Sequence, residues 1–279
     1  MRAVAVRAFG APPEIMELPV PEPAEGELLV RVSGASVNPF DWKISDGILK
    51  DHRPHVFPLV LGTDGSGTVE KVGAGVREFR AGDRVFGQFL HDPVGTGTYA
   101  ELATVPERNA IVRPPPNLDL VEAAGVPMAG MTALESVDAL GARSGDLVLI
   151  VGATGGVGSF ATQLASSRGL LVIATARPGA DAAMRALGAS ETIDHTAGDL
   201  VDRLRSAHPD GLAGLVDLAS DAAGFARHVT LVRRGGAAAT TRFVAVPGAP
   251  GASGVRQINI DLHPRRELLE RLSEEIRAG

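Results

Sequence analysis

The segment that most restricts the fold runs from Leu147 to Ser167. It opens on Leu147-Val148-Leu149-Ile150-Val151, an apolar run without alternation, the pattern of a strand buried on both faces. Gly152-Ala153-Thr154-Gly155-Gly156-Val157-Gly158 follows at once, and Gly156 to Ser167 reads as a helix. These 21 residues carry no charge, which is also the length of a membrane span. Four glycines, with Thr, Ser and Gln among them, break the stretch with a turn, so a soluble strand–turn–helix is expected and no membrane partner. A dinucleotide pyrophosphate needs close backbone approach and the free N–H groups of a helix N-terminus. Gly155 and Gly158 stand at the second and third glycines of the G-x-G-x-x-G fingerprint, and Ala153 replaces the first. Ala153, Thr154, Gly155, Gly156, Val157 and Gly158 are therefore candidate cofactor-binding residues. The bland alternative is a tight turn without ligand.

The flanking pattern supports the ligand. Strands are expected at Leu170–Thr175, Glu191–Ile193, Leu215–Leu218, Ala237–Thr240 and Val255–Ile260. Helices are expected at Ala180–Leu187, Leu200–Ser206 and Ala222–Val232, with a longer one from Asp119 to Leu140 stopped by Gly141. Alternating strands and helices make a doubly wound parallel sheet, an α/β fold, over residues 116–262. The second strand ends Thr175-Ala176-Arg177, with no acid before Asp181 to bind an NAD ribose hydroxyl. Arg177 suits a 2′-phosphate instead, so NADP(H) is the expected cofactor; a solvated arginine is the plain alternative.

Residues 1–115 differ in texture. Short alternating runs such as Val4–Val6, Leu28–Val32 and Gly67–Val72 are separated by Pro and Gly turns, which predicts a small all-β domain of antiparallel strands. Pro114-Pro115-Pro116 is a stiff boundary. At the other end, Pro264–Ala278 is amphipathic, with Leu268, Leu269, Leu272 and Ile276 on one stripe. Net charge is −6 and no basic run stands out, so nucleic acid is not an expected partner. The absence of cysteine excludes disulfides, thiolate nucleophiles and every Cys-ligated zinc or iron–sulfur site. The N-terminus alternates like a strand, not a leader, which places the chain in the cytoplasm by default.

The chain resembles the zinc-independent quinone oxidoreductases, the zeta-crystallin type, of the medium-chain dehydrogenase/reductase superfamily. The matching stretches are Ser36-Val37-Asn38-Pro39-Phe40-Asp41-Trp42-Lys43, Leu61-Gly62-Thr63-Asp64-Gly65-Ser66-Gly67, Val72-Gly73 through Gly82-Asp83-Arg84-Val85, Gly97-Thr98-Tyr99-Ala100-Glu101, Met131-Thr132-Ala133 and the turn 152–158. The resemblance implies a GroES-like β-rich catalytic domain (1–115), a Rossmann NADP-binding domain (116–262) and a helix (263–279) returning to the catalytic domain, shortened relative to the family. It implies NADPH in a cleft between domains and hydride transfer to a quinone or an α,β-unsaturated carbonyl. Zinc-dependent relatives hold their metal with Cys and His around Asn38–Asp41 and Gly62–Asp64, and this chain has neither residue there. His52, His55 and His91 lack regular ligand spacing and read as solvated, so no metal is expected. A short-chain dehydrogenase would need Tyr-x-x-x-Lys, which Tyr99, the one tyrosine, does not supply.

By the same resemblance Asn38 and Asp41 line the reaction site. Their local alternatives are a turn residue before Pro39 and an N-cap for a helix over 42–46. Lys43 is a candidate proton donor or a solvated lysine. Trp42 stacks on a flat substrate or packs in the core. Tyr99 gates the pocket or packs on a strand. Thr132, Thr241 and Phe243 fall where the family touches the nicotinamide or phosphate, and His195 where it approaches the adenosine phosphate. Thr132 otherwise bonds its own helix backbone. The Val255–Ile260 edge strand suggests a homodimer. Two other functions fit the same residues: a non-enzymatic NADPH-binding structural or redox-sensing protein, and an enoyl reductase acting in trans on a carrier-bound substrate.

Overall fold

A computed structural model describes residues 1–248 and 254–279, and the described residues divide into two compact units. The first comprises Met1–Met131 with His263–Gly279, the second Thr132–Leu262.

In the first unit the short alternating runs become β1 (Arg2–Val6), β2 (Glu14–Glu17), β3 (Glu27–Ala35), a seven-residue helix α1 (Pro39–Ser45), β4 (His55–Val60), β5 (Asp64–Val72), β6 (Arg84–Gln88), β7 (Val94–Thr96), β8 (Leu102–Pro106) and β9 (Ile111–Val112). They form two sheets, ordered β2-β1-β4-β7 and β8-β3-β5-β6-β9. The second encloses Leu28, Val30, Val69, Val85, Phe89, Val105 and Ile111, the alternate residues that the period-two pattern points inward. One expectation fails. The strands are not all antiparallel, because β4 and β7 pair parallel. The long excursion through β5 and β6 between them supplies the crossover that a parallel pair requires.

The expected helix over 119–140 is two helices, α2 (Leu120–Ala123) and α3 (Pro127–Leu140). Pro127 has no N–H to continue the earlier turn, and Gly125 precedes it, so the chain breaks and restarts with proline in the first turn. The unit boundary falls at Met131/Thr132, inside α3, and not at the prolines 114–116. α2 packs on the β-rich unit: a Cβ at Gly34 in β3 would lie 3.0 Å from the Val121 carbonyl oxygen.

The second unit holds β10 (Leu147–Val151), α4 (Gly156–Ser167), β11 (Leu171–Thr175), α5 (Asp181–Ala186), β12 (Glu191–Ile193), α6 (Leu200–Ala207), β13 (Leu212–Asp217), α7 (Ala222–Val229), β14 (Val232–Thr240) and β15 (Arg256–Asn259). The sheet order is β12-β11-β10-β13-β14-β15, parallel throughout, the doubly wound arrangement expected. β13 starts at Leu212, earlier than expected, and the helix from Ala222 stops at Val229 so that Val232 can pair with Leu212 across a bulge. The last helix, α8 (Arg266–Ala278), belongs to the first unit. It buries Leu268, Leu269 and Leu272, and the Arg266 guanidinium reaches the Glu78 carboxylate and the Glu107 carbonyl.

Candidate functional site

Each unit carries one concentration of chemistry. In the β-rich unit it begins at α1. Pro39 presets the first helical φ, so the helix starts there and Asn38, extended at φ −115° and ψ 150°, is the N-cap. Asp41 is therefore the third helical residue and not the cap of a helix over 42–46, as its sequence position suggests. Its carboxylate reaches back to accept the Asn38 N–H at 2.7 Å. The other oxygen accepts the Thr63 N–H and the Thr63 hydroxyl, each at 2.9 Å. The Tyr99 hydroxyl lies 2.8 Å from Asp41 Oδ2 and 3.1 Å from the Ser36 carbonyl oxygen. Burial, then the adjacent Asp41 charge, pushes the Tyr99 phenol well above its ordinary range, so it stays protonated. A Cβ at Gly62, where φ is +95°, would sit 2.5 Å from the Tyr99 ring. The ring is thus pinned at both ends, an anchor and not a swinging gate.

Beside Asp41 lies a second carboxyl group. Asp64 is wholly buried. Its Oδ2 accepts from the Met128 N–H at 2.9 Å, Asn38 Nδ2 at 3.1 Å and the Ser36 hydroxyl at 3.2 Å. Its Oδ1 is buried and has no hydrogen-bond partner. Burial, reinforced by the Asp41 charge, pushes the Asp64 carboxyl up to about 7 against the pull of the three donors. The Met128 donor exists because Pro127 restarts the helix there and leaves the first-turn N–H groups free. Asn38 also donates to Ser36 Oγ at 3.0 Å. Both amide hydrogens are then spent inward, and Asn38 Oδ1 is left as an acceptor, given the amide orientation this network selects.

The remaining candidates of this unit are placed differently. Trp42 is 57% exposed, which removes the core-packing alternative, and Val37 on the other side of Asn38 is 84% exposed. Lys43 is exposed, and no described hydrogen bond or ion pair ties it to Asn38, Asp41 or Tyr99. The histidines are not uniformly solvated. His91 is buried, with Nδ1 2.8 Å from the Phe89 carbonyl oxygen, and the His55 ring meets Phe9 edge-on at 5.0 Å. Among the described residues no group of three His, Asp or Glu could hold a metal ion. Asp41 has both oxygens committed to hydrogen bonds.

In the second unit, Gly152 takes φ +82° and turns the chain off β10. Gly155, extended at φ −81° and ψ 173°, precedes α4 without capping its first N–H groups by a side chain. A Cβ at Gly158 would fall 2.2 Å from the Gly152 carbonyl oxygen, so only glycine lets the helix pack on the turn. Ala153 is buried, while Thr154, Gly155 and Gly156 are exposed around the open helix N-terminus and Val157 is partly so. These are the requirements of a pyrophosphate cradle, and the residues fit a dinucleotide. Thr175 accepts the Gly152 N–H at 2.9 Å and thereby ties the turn to β11. Asp217, fully buried at the end of β13, holds the neighbouring loop through the Ser220 and Ala219 N–H groups. Burial raises the Asp217 carboxyl, but hydrogen bonds from His228, Ser220 and Ala219 outweigh it and keep the group below the usual carboxylate range.

Arg177 and His195 are both exposed, two residues past the Thr175↔Ile193 register of adjacent strands. The structure thus brings this basic pair to one edge of the sheet. Thr132 is buried within α3, and its carbonyl accepts the Ser136 hydroxyl at 2.7 Å. Thr241 and Phe243 follow β14. Phe243 is 61% exposed and the one described non-glycine residue with positive φ, +57°. Its loop is braced by Asn259, which exchanges bonds with the Ala245 N–H at 3.0 Å and the Ala245 carbonyl at 3.2 Å. A non-glycine residue in this sparsely populated conformation costs about 1–3 kcal/mol, which the surrounding structure must hold. Ser36, Thr63, Asp64 and Asp217 are site residues that sequence reasoning did not single out. An acid set between Gly62 and Gly65 at the start of a glycine-rich strand was the available signal for Asp64.

The chain is similar to known proteins over both units. Residues 24–115 match the family model for the alcohol dehydrogenase GroES-like domain, and residues 156–259 that for zinc-binding dehydrogenase. The chain is 35% identical over 206 residues to a chloroplast envelope quinone oxidoreductase homolog of Arabidopsis thaliana, covering 70% of this chain and 61% of that one. It is 32% identical over 267 residues to a 2-methylene-furan-3-one reductase of Solanum lycopersicum, covering 93% and 64% respectively. The chain therefore spans less than two thirds of the length of these curated relatives. The crystal structure of an alcohol dehydrogenase superfamily protein from Novosphingobium aromaticivorans superposes with a TM-score of 0.86 at 30% identity, covering 100% of this chain and 87% of that one.

Proposed function

The chain belongs to the medium-chain dehydrogenase/reductase superfamily, in its quinone oxidoreductase group, and from that premise we propose that it is an NADPH-dependent, zinc-independent reductase of quinones or α,β-unsaturated carbonyls. The observation that carries this reading is the uncapped glycine cradle at α4 with Arg177 and His195 at the neighbouring strand ends. NADPH, when bound, supplies the hydride.

The chain's own residues do the rest. The N–H groups that open α4 receive the pyrophosphate, and Gly155 admits it because no side chain intervenes. Arg177 and His195 take the 2′-phosphate, the role an acid would play toward NAD. Thr132, Thr241 and Phe243 position the nicotinamide end. In the β-rich unit, Val37 and Trp42 offer an exposed apolar flank for a flat acceptor. Asp41, with both oxygens bonded, fixes Asn38, Thr63 and Tyr99 in place. Without a Lewis acid the nascent oxygen charge must be delocalised or protonated, which suits quinones and enones better than simple ketones. The names of the two curated relatives, a quinone oxidoreductase homolog and a methylene-furanone reductase, fall on the same two acceptor classes.

Coenzyme titration tests the assignment. NADPH should bind at least tenfold tighter than NADH, a difference of about 1.4 kcal/mol, and equal affinity for the two would refute the Arg177–His195 role. β15 is the edge of its sheet, and we propose that two copies pair along it. A strictly monomeric sedimentation profile at micromolar concentration would remove that proposal.

A further inference from the structure

We propose that Asp64 stores the proton taken up by the reduced substrate oxygen and that the Ser36 hydroxyl hands it across. The inference rests on the reductase reading above and supplies its proton.

Three features of the cluster carry it. First, Asp64 is divided: one oxygen takes three donors while the other is buried without any. As a carboxylate it leaves half its charge unsolvated, and as an acid it carries none, so both forms are accessible near neutral pH. Second, Ser36 is the partly exposed member of the group, and it touches both Asp64 and Asn38. Its hydroxyl donates to Asp64 Oδ2 as seen. When Oδ2 carries a proton the bond reverses, Ser36 Oγ accepts from Asp64 and Asn38, and the serine hydrogen turns outward. The two lone pairs and one hydrogen of a hydroxyl allow this without moving a heavy atom. Third, the alternatives are engaged elsewhere. Asp41 has its oxygens filled by four donors, Tyr99 is held protonated on Asp41, and no described bond brings Lys43 to the cluster. The charged or titratable groups facing Asp64 are Asp41 from α1 and Tyr99 from the loop before β8, opposed by the N–H end of α3 through Met128.

The step balances. A bound NADPH would supply the hydride, two electrons that leave an oxyanion on the acceptor. That oxygen takes the hydrogen of Ser36 Oγ as the serine oxygen takes the proton of Asp64, which becomes a carboxylate receiving the Ser36 hydroxyl. A water proton reloads the pair by the reverse path. Ser36 is the residue that touches substrate, and Asp64 acts through it.

The test uses the full chain with its aspartate carboxyl carbons labelled. One carboxyl resonance should titrate near pH 7 and be missing in Asp64→Asn. With a naphthoquinone acceptor, wild-type kcat/KM should fall about tenfold per pH unit above neutrality. Asp64→Asn should be pH-independent there and at least about tenfold slower at pH 6. Ser36→Ala should be slowed equally while the resonance still titrates, which keeps the test open if Asp64→Asn does not fold. NADPH affinity should stay within about twofold in both. An Asp64 that titrates below pH 5, or an active wild type whose pH dependence and rate survive in either variant, overturns the relay and leaves the reductase reading standing. A wild type that oxidises no NADPH with any acceptor overturns both.

Discussion

Asp64→Asn has a consequence for stability that follows from burial alone and needs no substrate. In the folded chain the Asp64 carboxyl is pushed up to about 7, whereas an unfolded chain ionises it near ~4. Below ~4 both states hold the proton. Between there and neutrality the folded state holds more protons, so stability falls as pH rises, and the loss is complete above about 7. From pH 5 to pH 9 some two pH units of that window are crossed, worth roughly 2–3 kcal/mol. Asn cannot ionise and escapes this loss. Its amide N–H groups would stand where Oδ1 has no partner, which costs about 1–3 kcal/mol at every pH. The variant should therefore be the less stable protein at pH 5 and draw level with the wild type or pass it by pH 9. Trp42, the one tryptophan, lies on α1 and reports the β-rich unit, so urea unfolding followed by its fluorescence at pH 5, 7 and 9 reads the effect. Carboxylates remote from Asp64 are common to both proteins and cancel in the difference. A wild-type minus variant difference constant within about 0.5 kcal/mol across that range would refute the reading of Asp64 as a group that ionises late.

Gly158→Ala forces a methyl to 2.2 Å from the Gly152 carbonyl oxygen, so it should cost about 1–3 kcal/mol and weaken NADPH binding by shifting the cradle. Unchanged thermal stability together with unchanged coenzyme fluorescence would contradict the packing. Arg177→Ala should raise the NADPH dissociation constant by about tenfold or more while leaving NADH alone, the loss of charge-assisted bonds worth about 1.5–3 kcal/mol. An equal loss for both coenzymes would point to misfolding instead. Tyr99→Phe removes one of the four donors on buried Asp41 and should destabilise the β-rich unit by about 1–3 kcal/mol, read by Trp42 fluorescence in urea; a neutral result would show that the phenol is not an anchor.

The Rossmann half was legible because its signals are local. An apolar run, a glycine turn and a helix of Gly156–Ser167 fall within one stretch of chain, and the structure draws those bounds for α4. The amphipathic stripe of α8 was equally plain, since Leu268, Leu269 and Leu272 recur at helical spacing. The polar cluster is different. Ser36 and Asp64 are 28 residues apart and Met128 is 64 beyond Asp64, so their meeting depends on the β3–β5 pairing and on a helix that restarts at Pro127. No period in the sequence encodes that. Nor does it encode the parallel β4–β7 pair, which is decided by long-range closure of the sheet. Asp41 was placed by its motif but misread locally, because the helix-starting effect of Pro39 moves the cap back to Asn38. The Asn259 side chain that braces the loop after Phe243 at Ala245 comes from a different strand and is likewise invisible locally.

The measurement that bears most directly on the central claim is acceptor-dependent oxidation of NADPH by the purified, mass-verified chain, assayed against a panel of quinones and enones with a metal chelator present. The account predicts turnover with at least one of these acceptors, undiminished by the chelator and weaker with NADH. NADPH binding without turnover of any acceptor would contradict it and favour a coenzyme-binding protein, and turnover abolished by the chelator would contradict the metal-free site.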